Sequence, residues 1–508
     1  MRNSVISGAL LVALGFGSVD AGAVARTILA SGAKDAVYDA QRNVIYISAG
    51  GNVVRYSLST NTALTPIVLG GTLQGIDLSP DNATLAVATT EHTAGHIVVH
   101  LVNLDTLVDN KQTIATGTAA ETNSYSVGYF DSGYLGVTSH SDSNGLVPTH
   151  LYDSGSWYVE WDQTPLASNM ILGMSGDTSC AAYGEPSLQK WGTFEHGTNY
   201  LNYQYAVTGT NTGYAAANKD CLQVVANGVV FKRPVNYFFA QTGVLPSGGT
   251  LGTPLNGIYD PVRPLAYFPY GGTTLVRVLN MNTLLETRDF DFGEMFPSTA
   301  QGLAPGRARI SRDGSLLMVV VNDGVRYQTL YAPLRATDAA ASVLAGQSVA
   351  IPVAATLGIK GTIAYSLPAQ PAHGTATVVG NVVTYTPSAG FTGVDAFNYQ
   401  AKYGLAKVLG TITATVTPNH LPVAVNDKYS VVARSATLLP ILANDTDADG
   451  QALSIIAISQ PAHGSVVIQG NQILFTAPAA STQKFNYTIS DGMGGTAIGT
   501  VTVTVTSS

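Results

Sequence analysis

The sequence predicts an all-β protein, a seven-bladed β-propeller followed by two immunoglobulin-like (Ig-like) β-sandwiches. Two repeats indicate this fold class. A strand–turn–strand unit recurs about every 40 to 50 residues along the first two-thirds of the chain, and a second unit recurs near its end at an interval of 90 residues. The composition agrees, because 53 glycines with only 11% charged residues are typical of an extracellular all-β protein.

The clearest copy of the first unit is residues 73–89, in which two apolar runs flank the turn Ser79-Pro80-Asp81-Asn82. Proline presets the backbone of the turn, and Asp and Asn hydrogen-bond their own backbone, so the two runs should form a hairpin. Weaker copies begin at residues 37, 127, 172, 214, 258 and 308. Seven copies, each with room for four short strands and no helical periodicity between them, predict seven propeller blades.

The segment before the first copy is expected to close the ring. Residues 24–32 can supply a strand to the last blade, near residues 327–333. Closure of this kind hides the sheet edges that would otherwise pair with other chains.

The N-terminus has the pattern of a secretory signal. Arg2 precedes an apolar run over residues 5–16, and Ala23-Val24-Ala25 offers a cleavage site, so residues 1–25 are predicted to be a signal peptide. The apolar run is too short to span a bilayer, and a retained N-terminal anchor is the alternative. We therefore expect a secreted or cell-surface protein with no membrane span after cleavage.

The length and charge limit the domain count and the partners. A chain of 508 residues should hold roughly two to four domains. Its net charge of −8 and the absence of a basic run argue against nucleic acid as a partner. We place the propeller at residues 26–337 and the two sandwiches at residues 338–418 and 419–508.

The C-terminal part contains two copies of a different unit. QPAHG occurs at residues 370–374 and 460–464, and FNY at residues 397–399 and 485–487. Each copy ends in an alternating Thr/Val run, which is the pattern of a half-buried strand. Repeats of this length with short strands are typical of β-sandwiches. His373 and His463 recur within this unit, but their place beside Pro and Gly favours a turn role over metal binding.

The two cysteines, Cys180 and Cys221, lie one blade period apart, each just after the turn of its copy. Equivalent positions in neighbouring blades can be close in space, and an oxidising compartment would allow a bridge. We expect an inter-blade disulfide, with two buried free thiols as the alternative.

Two motifs carry a family resemblance: GIDLSPD at residues 75–81 followed by LAVA at 85–88, and ISRDG at 310–314 followed by Leu316. With them, residues 23–336 resemble the bacterial YVTN-type, lactonase-like seven-bladed propellers, a family that includes non-catalytic surface proteins as well as lactonases. The QPAHG and FNY units resemble bacterial Ig-like, cadherin-like modules.

The strongest chemical signal is the loop at residues 444–450, where Asp445, Asp447 and Asp449 alternate and Gly450 follows. Alternating carboxylates around a tight bend suit Ca²⁺, although the EF-hand pattern fails because Ile456 stands where a Glu is required. The cadherin-like resemblance implies that the three aspartates are calcium ligands, with Asn426, Asp427 or Asp491 as additional candidates. The alternative is a solvated Asx-rich turn. The first repeat has no acid in this region, so only the second module should bind calcium.

Other candidate sites are weaker. Trp157, Trp161 and Trp191 are predicted to lie in loops of blades three to five, where they could bind a sugar or a partner surface, or simply pack between blades. His92, His96 and His100 have even spacing, but a surface hairpin explains them as well as a metal site does.

Two classes of function follow. The first is an exported, non-enzymatic binding or structural protein, with the propeller as a recognition or assembly head and the sandwiches as a stalk. Its partner would be a protein or glycan at the cell surface, or further copies of itself in a fibre or layer, since the Thr/Val strand near the C-terminus is expected to be an exposed edge.

The second class is a lactonase-like hydrolase with acids at the propeller mouth. An enzyme should gather His, Asp, Glu or Arg at equivalent blade positions, and these hold mostly Gly, Ala, Ser and Tyr, which favours the first class.

Overall fold

The computed structural model describes residues 25–141, 146–160, 166–167, 171–175, 180–185, 190–195, 201–205, 215–218, 221–226, 229–233, 240–245, 253–293, 295–298, 303, 307–321, 323–404, 406–477 and 479–507. The predicted signal peptide therefore lies outside the described residues, except for Ala25. The chain divides into two units, each considered by itself. The first comprises Met1–Ala336, Ala355–Ala364 and Ala401–Leu409, and the second comprises Thr337–Ala354, Tyr365–Gln400 and Gly410–Ser508.

The first unit contains seven antiparallel sheets among its described residues, as predicted. The strands of the first three sheets are β2 (Ala33–Asp39), β3 (Val44–Ala49), β4 (Asn52–Ser57) and β5 (Thr62–Val68); β6 (Leu73–Leu78), β7 (Thr84–Thr93), β8 (His96–Asn103) and β9 (Asp109–Ala115); and β10 (Asn123–Tyr129), β11 (Leu135–His140), β13 (Thr149–Asp153) and β14 (Ser156–Glu160). A separate pair is formed by β12 (Leu146–Val147) and β15 (Leu166–Ala167).

The next three sheets follow in chain order. Their strands are β16 (Leu172–Met174), β17 (Cys180–Glu185), β18 (Lys190–Glu195) and β19 (Leu201–Tyr205); β20 (Ala215–Ala217), β21 (Gln223–Ala226), β22 (Val229–Lys232) and β23 (Ala240–Val244); and β24 (Thr253–Pro254), β25 (Ile258–Tyr259), β26 (Leu265–Gly271), β27 (Leu275–Asn280) and β28 (Leu285–Asp291).

The seventh sheet joins the two ends of the propeller. Its strands are β29 (Ala308–Ile310), β30 (Leu316–Val321) and β31 (Gly324–Thr329), and the N-terminal strand β1 (Arg26–Leu29) completes it. β1 pairs antiparallel with β31, with Arg26 opposite Tyr327, so the predicted closing strand is confirmed.

The innermost strands form a continuous ring. Each of β2, β6, β10, β16, β20, β25 and β29 contacts the inner strand of the next sheet, and β29 contacts β2. Apolar side chains fill the space between neighbouring sheets: Tyr46 of the first sheet packs with Val87 of the second, and Val99 of the second packs with Val137 of the third. All six residues of β3 are buried, whereas the outer strand β5 is largely exposed. The described sheets thus form a seven-bladed propeller with its core between the blades.

The C-terminal repeats form two sandwiches of the same topology. The strands of the first are β32 (Arg335–Thr337), β33 (Ala339–Leu344), β34 (Val349–Pro352), β35 (Ala354–Thr356), β36 (Ala364–Ser366), β37 (Gly374–Val379), β38 (Val382–Pro387), β39 (Gly393–Tyr403) and β40 (Ala406–Thr417). Those of the second are β41 (Asp427–Val432), β42 (Ala436–Leu439), β43 (Ser454–Ile458), β44 (Ser465–Gln469), β45 (Gln472–Thr476), β46 (Ser481–Ser490) and β47 (Thr496–Thr506), with a 3₁₀ turn at Ile441–Asn444.

One expectation about the last strand is wrong. β47 is not an exposed edge, because it lies between β46, with which it is antiparallel, and β41, with which it is parallel. β40 has the same position in the first sandwich, between β39 and β33. The Thr/Val alternation shows that one face is half-buried, but it cannot show that both backbone edges are paired.

Candidate functional site

The inner hairpin turns of the propeller are fastened by acidic side chains. In the first blade, Asp39 Oδ1 accepts hydrogen bonds from the backbone N–H groups of Gln41 (2.9 Å) and Arg42 (3.1 Å). In the sixth blade, Asp260 Oδ1 accepts from Val262 and Arg263, both at 2.9 Å. These are Asx turns, which is why a sequence copy without Pro or Gly still folds back at this point.

The arginines of the same turns link neighbouring blades. Arg42 pairs with Asp39 (2.8 Å) and also donates to the carbonyl oxygen of Asn82 in the second blade (2.7 Å). Arg263 pairs with its own turn aspartate (2.6 Å) and donates to the carbonyl oxygen of Gly314 in the seventh blade (3.2 Å). The Asp-x-x-Arg pattern therefore has a structural role, which the sequence analysis did not identify.

A cluster of buried charged side chains lies where the ring closes. Arg309, in β29, donates to the carbonyl oxygens of Ala36 (3.2 Å) and Ile76 (2.6 Å) and lies 3.2 Å from the carboxylate of Asp35 and 3.4 Å from that of Asp77. Asp35 is fully buried, and Arg309 and Asp77 are 8% and 9% exposed. The side chain of Arg309, in the seventh blade, is therefore hydrogen-bonded to both the first and the second blade.

The two aspartates extend this network. Asp35 Oδ1 accepts from the backbone N–H of Ala36 (2.9 Å), and Asp77 Oδ2 accepts from that of Tyr129 in the third blade (2.8 Å). Arg307 lies 3.3 Å from Asp35 and is 3% exposed. Burial lowers the pKa of Arg307 to about 10, because the charged form loses hydration, although the neighbouring carboxylate of Asp35 acts in the opposite direction.

The sequence analysis did not find this cluster of Asp35, Asp77 and Arg309. The sequence analysis compared equivalent positions of the blades, but Asp35, Asp77 and Arg309 stand at different positions of their strands, so the comparison missed them. A cavity of about 60 Å³ beside the cluster is lined by Tyr38 and Arg312, among others. It has room for a few water molecules and is far below the roughly 300 Å³ of an ordinary ligand pocket.

A buried histidine–carboxylate pair lies in the third blade. His150 Nε2 is 2.5 Å from Glu121 Oε2, and both side chains are fully buried. Ser139 Oγ donates to the same carboxylate (2.8 Å), and the backbone N–H of Gly117 donates to its other oxygen (2.6 Å). Burial opposes ionisation of Glu121, but the hydrogen bonds and the charge of His150 outweigh it, so the pKa of Glu121 is lowered.

The lowered pKa of Glu121 predicts acid sensitivity of the propeller. The carboxylate of Glu121 binds a proton more tightly in the unfolded chain than in the folded protein. Its contribution to stability is therefore complete above the ordinary glutamate pKa of about 4.3, and it is lost as the pH falls through the lower pKa that Glu121 has in the folded protein. We expect Glu121→Gln to be less stable than the wild type at pH 7, by about 1–3 kcal/mol, and to lose less stability on acidification. Urea unfolding followed by tryptophan fluorescence between pH 7 and 3 measures both. Equal losses in the two proteins would contradict the assignment.

The structure joins Cys180 and Cys221 in a disulfide, with a Cα–Cα distance of 6.0 Å. Cys180 begins β17 of the fourth blade, and Cys221 lies just before β21 of the fifth, so the bridge links two neighbouring blades as expected. Both residues are fully buried.

The tryptophans are placed differently from the prediction. Trp157 lies in β14 and Trp191 in β18, so both are in strands and not in loops, while Trp161 lies outside the described residues. The ring of Trp157 is half-buried, lies 4.8 Å from that of Tyr152 and packs on the core between the second and third blades. This contact agrees with the packing alternative for Trp157, and a binding role for the three tryptophans stays a prediction.

The histidines of the second blade do not converge. His92 and His96 are exposed, and each ring contacts a nearby backbone carbonyl oxygen at 3.2 Å. His100 is fully buried and lies 2.7 Å from Asp109. Across the part of the chain that the structure describes, no group of three or more His, Cys, Asp or Glu residues is arranged to hold a metal ion.

The three aspartates of the acidic loop have different partners. Asp445 Oδ1 accepts from the backbone N–H of Val425 (2.7 Å), and Asp447 Oδ1 accepts from that of Asp449 (2.8 Å). Asp449 accepts from the backbone N–H of His420 (2.7 Å) and lies 2.9 Å from its ring nitrogen. The hydrogen bonds from His420 lower the pKa of Asp449. Calcium binding by all three stays a prediction.

His373 and His463 occupy turns. The backbone N–H of His373 donates to Asp395 (2.8 Å), and that of His463 donates to Gln483 at the corresponding place (2.9 Å). The preceding Gln of each QPAHG unit makes a pair of hydrogen bonds to the backbone of the residue six positions later, Ala376 or Val466. The repeated motif therefore fixes a turn in each sandwich.

Comparison with known proteins identifies the C-terminal repeats. Residues 331–417 and 419–504 each match the family model described as Bacterial Ig domain. No curated protein matches the chain. No helix among the described residues is long and apolar enough to cross a membrane.

Several solved structures are similar to the chain at low identity. They include Kuenenia stuttgartiensis hydrazine synthase, with 12% identity, coverage of 61% of this chain and 99% of that chain, and a TM-score of 0.46. The β-propeller domain of Cps50 (Swd1) from Myceliophteria thermophila has 8% identity, coverage of 60% and 100%, and a TM-score of 0.45. A chain of the Mitotic Checkpoint Complex has 11% identity, coverage of 65% and 100%, and a TM-score of 0.44.

Proposed function

We propose that this chain is an exported, non-enzymatic binding or structural protein of the bacterial cell surface. The propeller would be the recognition or assembly head and the two Ig-like domains the stalk. The partner would be a surface protein or glycan, or further copies of the chain. That the propeller is of the YVTN type is part of the same proposal.

The observation that carries the proposal is how the buried charges of the propeller are used. Arg309, Asp35 and Asp77 bond one another and the backbone of the first three blades, and the cavity beside them is small. The contacts of these three side chains are those expected of residues that hold neighbouring blades together where the ring closes. The bacterial Ig domains and the disulfide support an extracellular location, because disulfides persist in oxidising compartments.

Removing the second Ig-like domain tests the stalk. A variant lacking residues 419–508 should keep a folded propeller, with unchanged tryptophan fluorescence, because all three tryptophans precede the deleted segment in the sequence. It should be found in the medium instead of on cells. Cell fractionation of the wild type and the variant measures retention, and a truncated protein that stays cell-associated would contradict the stalk role.

The lactonase-like alternative predicts turnover. Purified wild-type protein should then hydrolyse lactones in a pH-stat assay, and Arg309→Met should abolish the activity. We expect no lactone hydrolysis by the wild type, and saturable hydrolysis would overturn the non-enzymatic proposal.

Self-association would use different strands from those the sequence suggested. Because β47 is paired on both sides, strand addition to the second sandwich would have to occur at β41 or β43 of one sheet, or at β42 or β44 of the other. Electron microscopy of material released from cells would show whether fibres form.

A further inference from the structure

Two segments of the first Ig-like repeat belong to the propeller unit. They are Ala355–Ala364 and Ala401–Leu409, the second of which contains the turn between β39 and β40. A Cβ added to Gly361 would lie 2.3 Å from the ring of Tyr403, so the two segments pack against each other. We call these two segments the cap, and their contacts with the blades are contacts within one unit.

The cap is hydrogen-bonded to the end of the propeller that carries the inner hairpin turns. The backbone N–H of Gly358 donates to the carbonyl oxygen of Ala332, which follows the last strand of the seventh blade (2.8 Å). The side-chain amide of Asn82, in the inner turn of the second blade, donates to the carbonyl oxygen of Lys407 (3.3 Å). These two bonds attach the cap to the seventh and the second blade.

Apolar contacts attach the cap to the sixth blade as well. Leu357 and Ile359 pack against the core between the sixth and seventh blades. A Cβ added to Gly404 would lie 3.5 Å from a methyl group of Val262, in the inner turn of the sixth blade. The corresponding region of the second repeat, residues 444–450, carries three aspartates and no leucine or isoleucine. Because apolar surface gains stability by leaving water, this end of the first repeat is suited to pack on the blades and that of the second is not.

Charged side chains extend the contact across the ring. Burial lowers the pKa of Lys407, and the positive charges of Lys402 and Arg312 lower it further. The carboxylates of Asp81 and Asp131, in the inner turns of the second and third blades, act in the opposite direction. The cap is therefore close to the inner turns of the second, third, sixth and seventh blades. These four blades are not all neighbours, so the cap spans the ring.

We propose that the cap closes the turn end of the propeller, and that a partner of the head binds at the opposite end, which carries the turn between β7 and β8. The closure follows from the contacts of the cap with both sides of the ring and does not depend on what the protein does. The binding end rests on the proposed function, because it presupposes that the head has a partner.

A disulfide trap in the full chain tests the closure. The wild type has no free thiol, since its two cysteines are bonded to each other. In Val262→Cys/Gly404→Cys, the sulfur at position 262 can replace the methyl group that lies 3.5 Å from the added Cβ of residue 404, which suits a disulfide. We expect the purified variant to lose both new thiols under mild oxidation, as counted by thiol titration after unfolding. Two thiols that stay free would overturn the closure.

Val262→Cys/Gly380→Cys is the matched control. Gly380 has a backbone φ of +59°, against +58° at Gly404, so a cysteine is about equally strained at both positions. A Cβ added to Gly380 would meet nothing within 4 Å, so this pair should keep both thiols. Equal trapping of the two pairs would show that the bridge reports chain mobility and not the cap, and would overturn the closure.

The tryptophan signal tests the cap without new cysteines. Leu357→Asp places a charge against the core between the sixth and seventh blades, so it should lower the urea midpoint at which tryptophan fluorescence reports unfolding. Thr377→Asp, which changes an exposed residue of β37, should leave that midpoint unchanged. A midpoint that Leu357→Asp does not lower would contradict packing of the cap on the blades.

A bulky label at either end of the propeller tests which end binds. Ala94→Cys and Lys360→Cys introduce exposed thiols in the β7–β8 turn and in the cap, and each can be coupled to a polyethylene glycol maleimide. Binding of the purified, labelled full chain to the producing cells is then measured. The label at residue 94 should reduce binding and that at residue 360 should not, whereas the reverse result would overturn the assigned end. No binding by the unlabelled wild type would contradict the surface function, while the thiol counts would still decide the closure.

Discussion

Arg309→Met is expected to destabilise the propeller by about 3–5 kcal/mol, which is the usual cost of removing one partner of a buried ion pair. The substitution leaves Asp77 without its cationic partner and removes the hydrogen bonds to Ala36 and Ile76. Because these bonds join the seventh blade to the first two, the loss acts on ring closure itself. The midpoint of urea unfolding, followed by tryptophan fluorescence, measures the effect.

Two further proteins make this test specific. Arg288→Met, which changes an exposed arginine of β28, should alter stability by less than about 1 kcal/mol. Adding Asp77→Asn to Arg309→Met should recover part of the loss, since the double variant no longer buries an unpaired carboxylate at this position. A double variant no more stable than Arg309→Met would show that the charge pairing does not stabilise the closure.

Removing the disulfide is expected to cost roughly 4 kcal/mol in the chain-entropy description of cross-links, because the bridge closes a long loop in the unfolded chain. Cys180 and Cys221 are 41 residues apart and link the fourth blade to the fifth. The double variant Cys180→Ala/Cys221→Ala should therefore unfold at a lower urea concentration than the wild type under oxidising conditions.

A reducing agent supplies the control for this prediction. It should lower the stability of the wild type to about that of the double variant and leave the double variant unchanged. A wild type that is equally stable with and without reductant, and free of reactive thiols when unfolded under oxidising conditions, would show that the bridge forms without stabilising the fold.

Much of the architecture was predictable because it depends on local patterns. The hairpin at residues 73–89 has its own turn residues, and the same pattern recurs in seven copies, so blade number follows from counting. The closing strand β1 was predictable for a related reason. In a closed ring, an apolar strand that precedes the first blade can pair with the open sheet edge of the last blade. The repeated QPAHG units likewise have their own turn hydrogen bonds.

The candidate sites were less predictable because their residues are far apart in the sequence. Asp35 and Arg309 lie in the first and last blades, and nothing in the sequence near either residue identifies the other. The acidic loop showed where carboxylates are dense, but their partners depend on which strand lies alongside. Asp445 contacts the hydroxyl of Tyr487, in β46, and nothing in the sequence near either residue indicates this contact.

The sequence by itself determined the seven blades, the two sandwiches, the closing strand and the spacing that permits the disulfide, because turns and apolar alternation are encoded within short segments. Only the tertiary structure decided that β47 is paired on both sides, that Trp157 packs between blades, and which arginine the buried acids Asp35 and Asp77 contact. These outcomes depend on contacts between segments far apart in the chain, where charge and hydrogen bonding are set by the neighbours that folding provides.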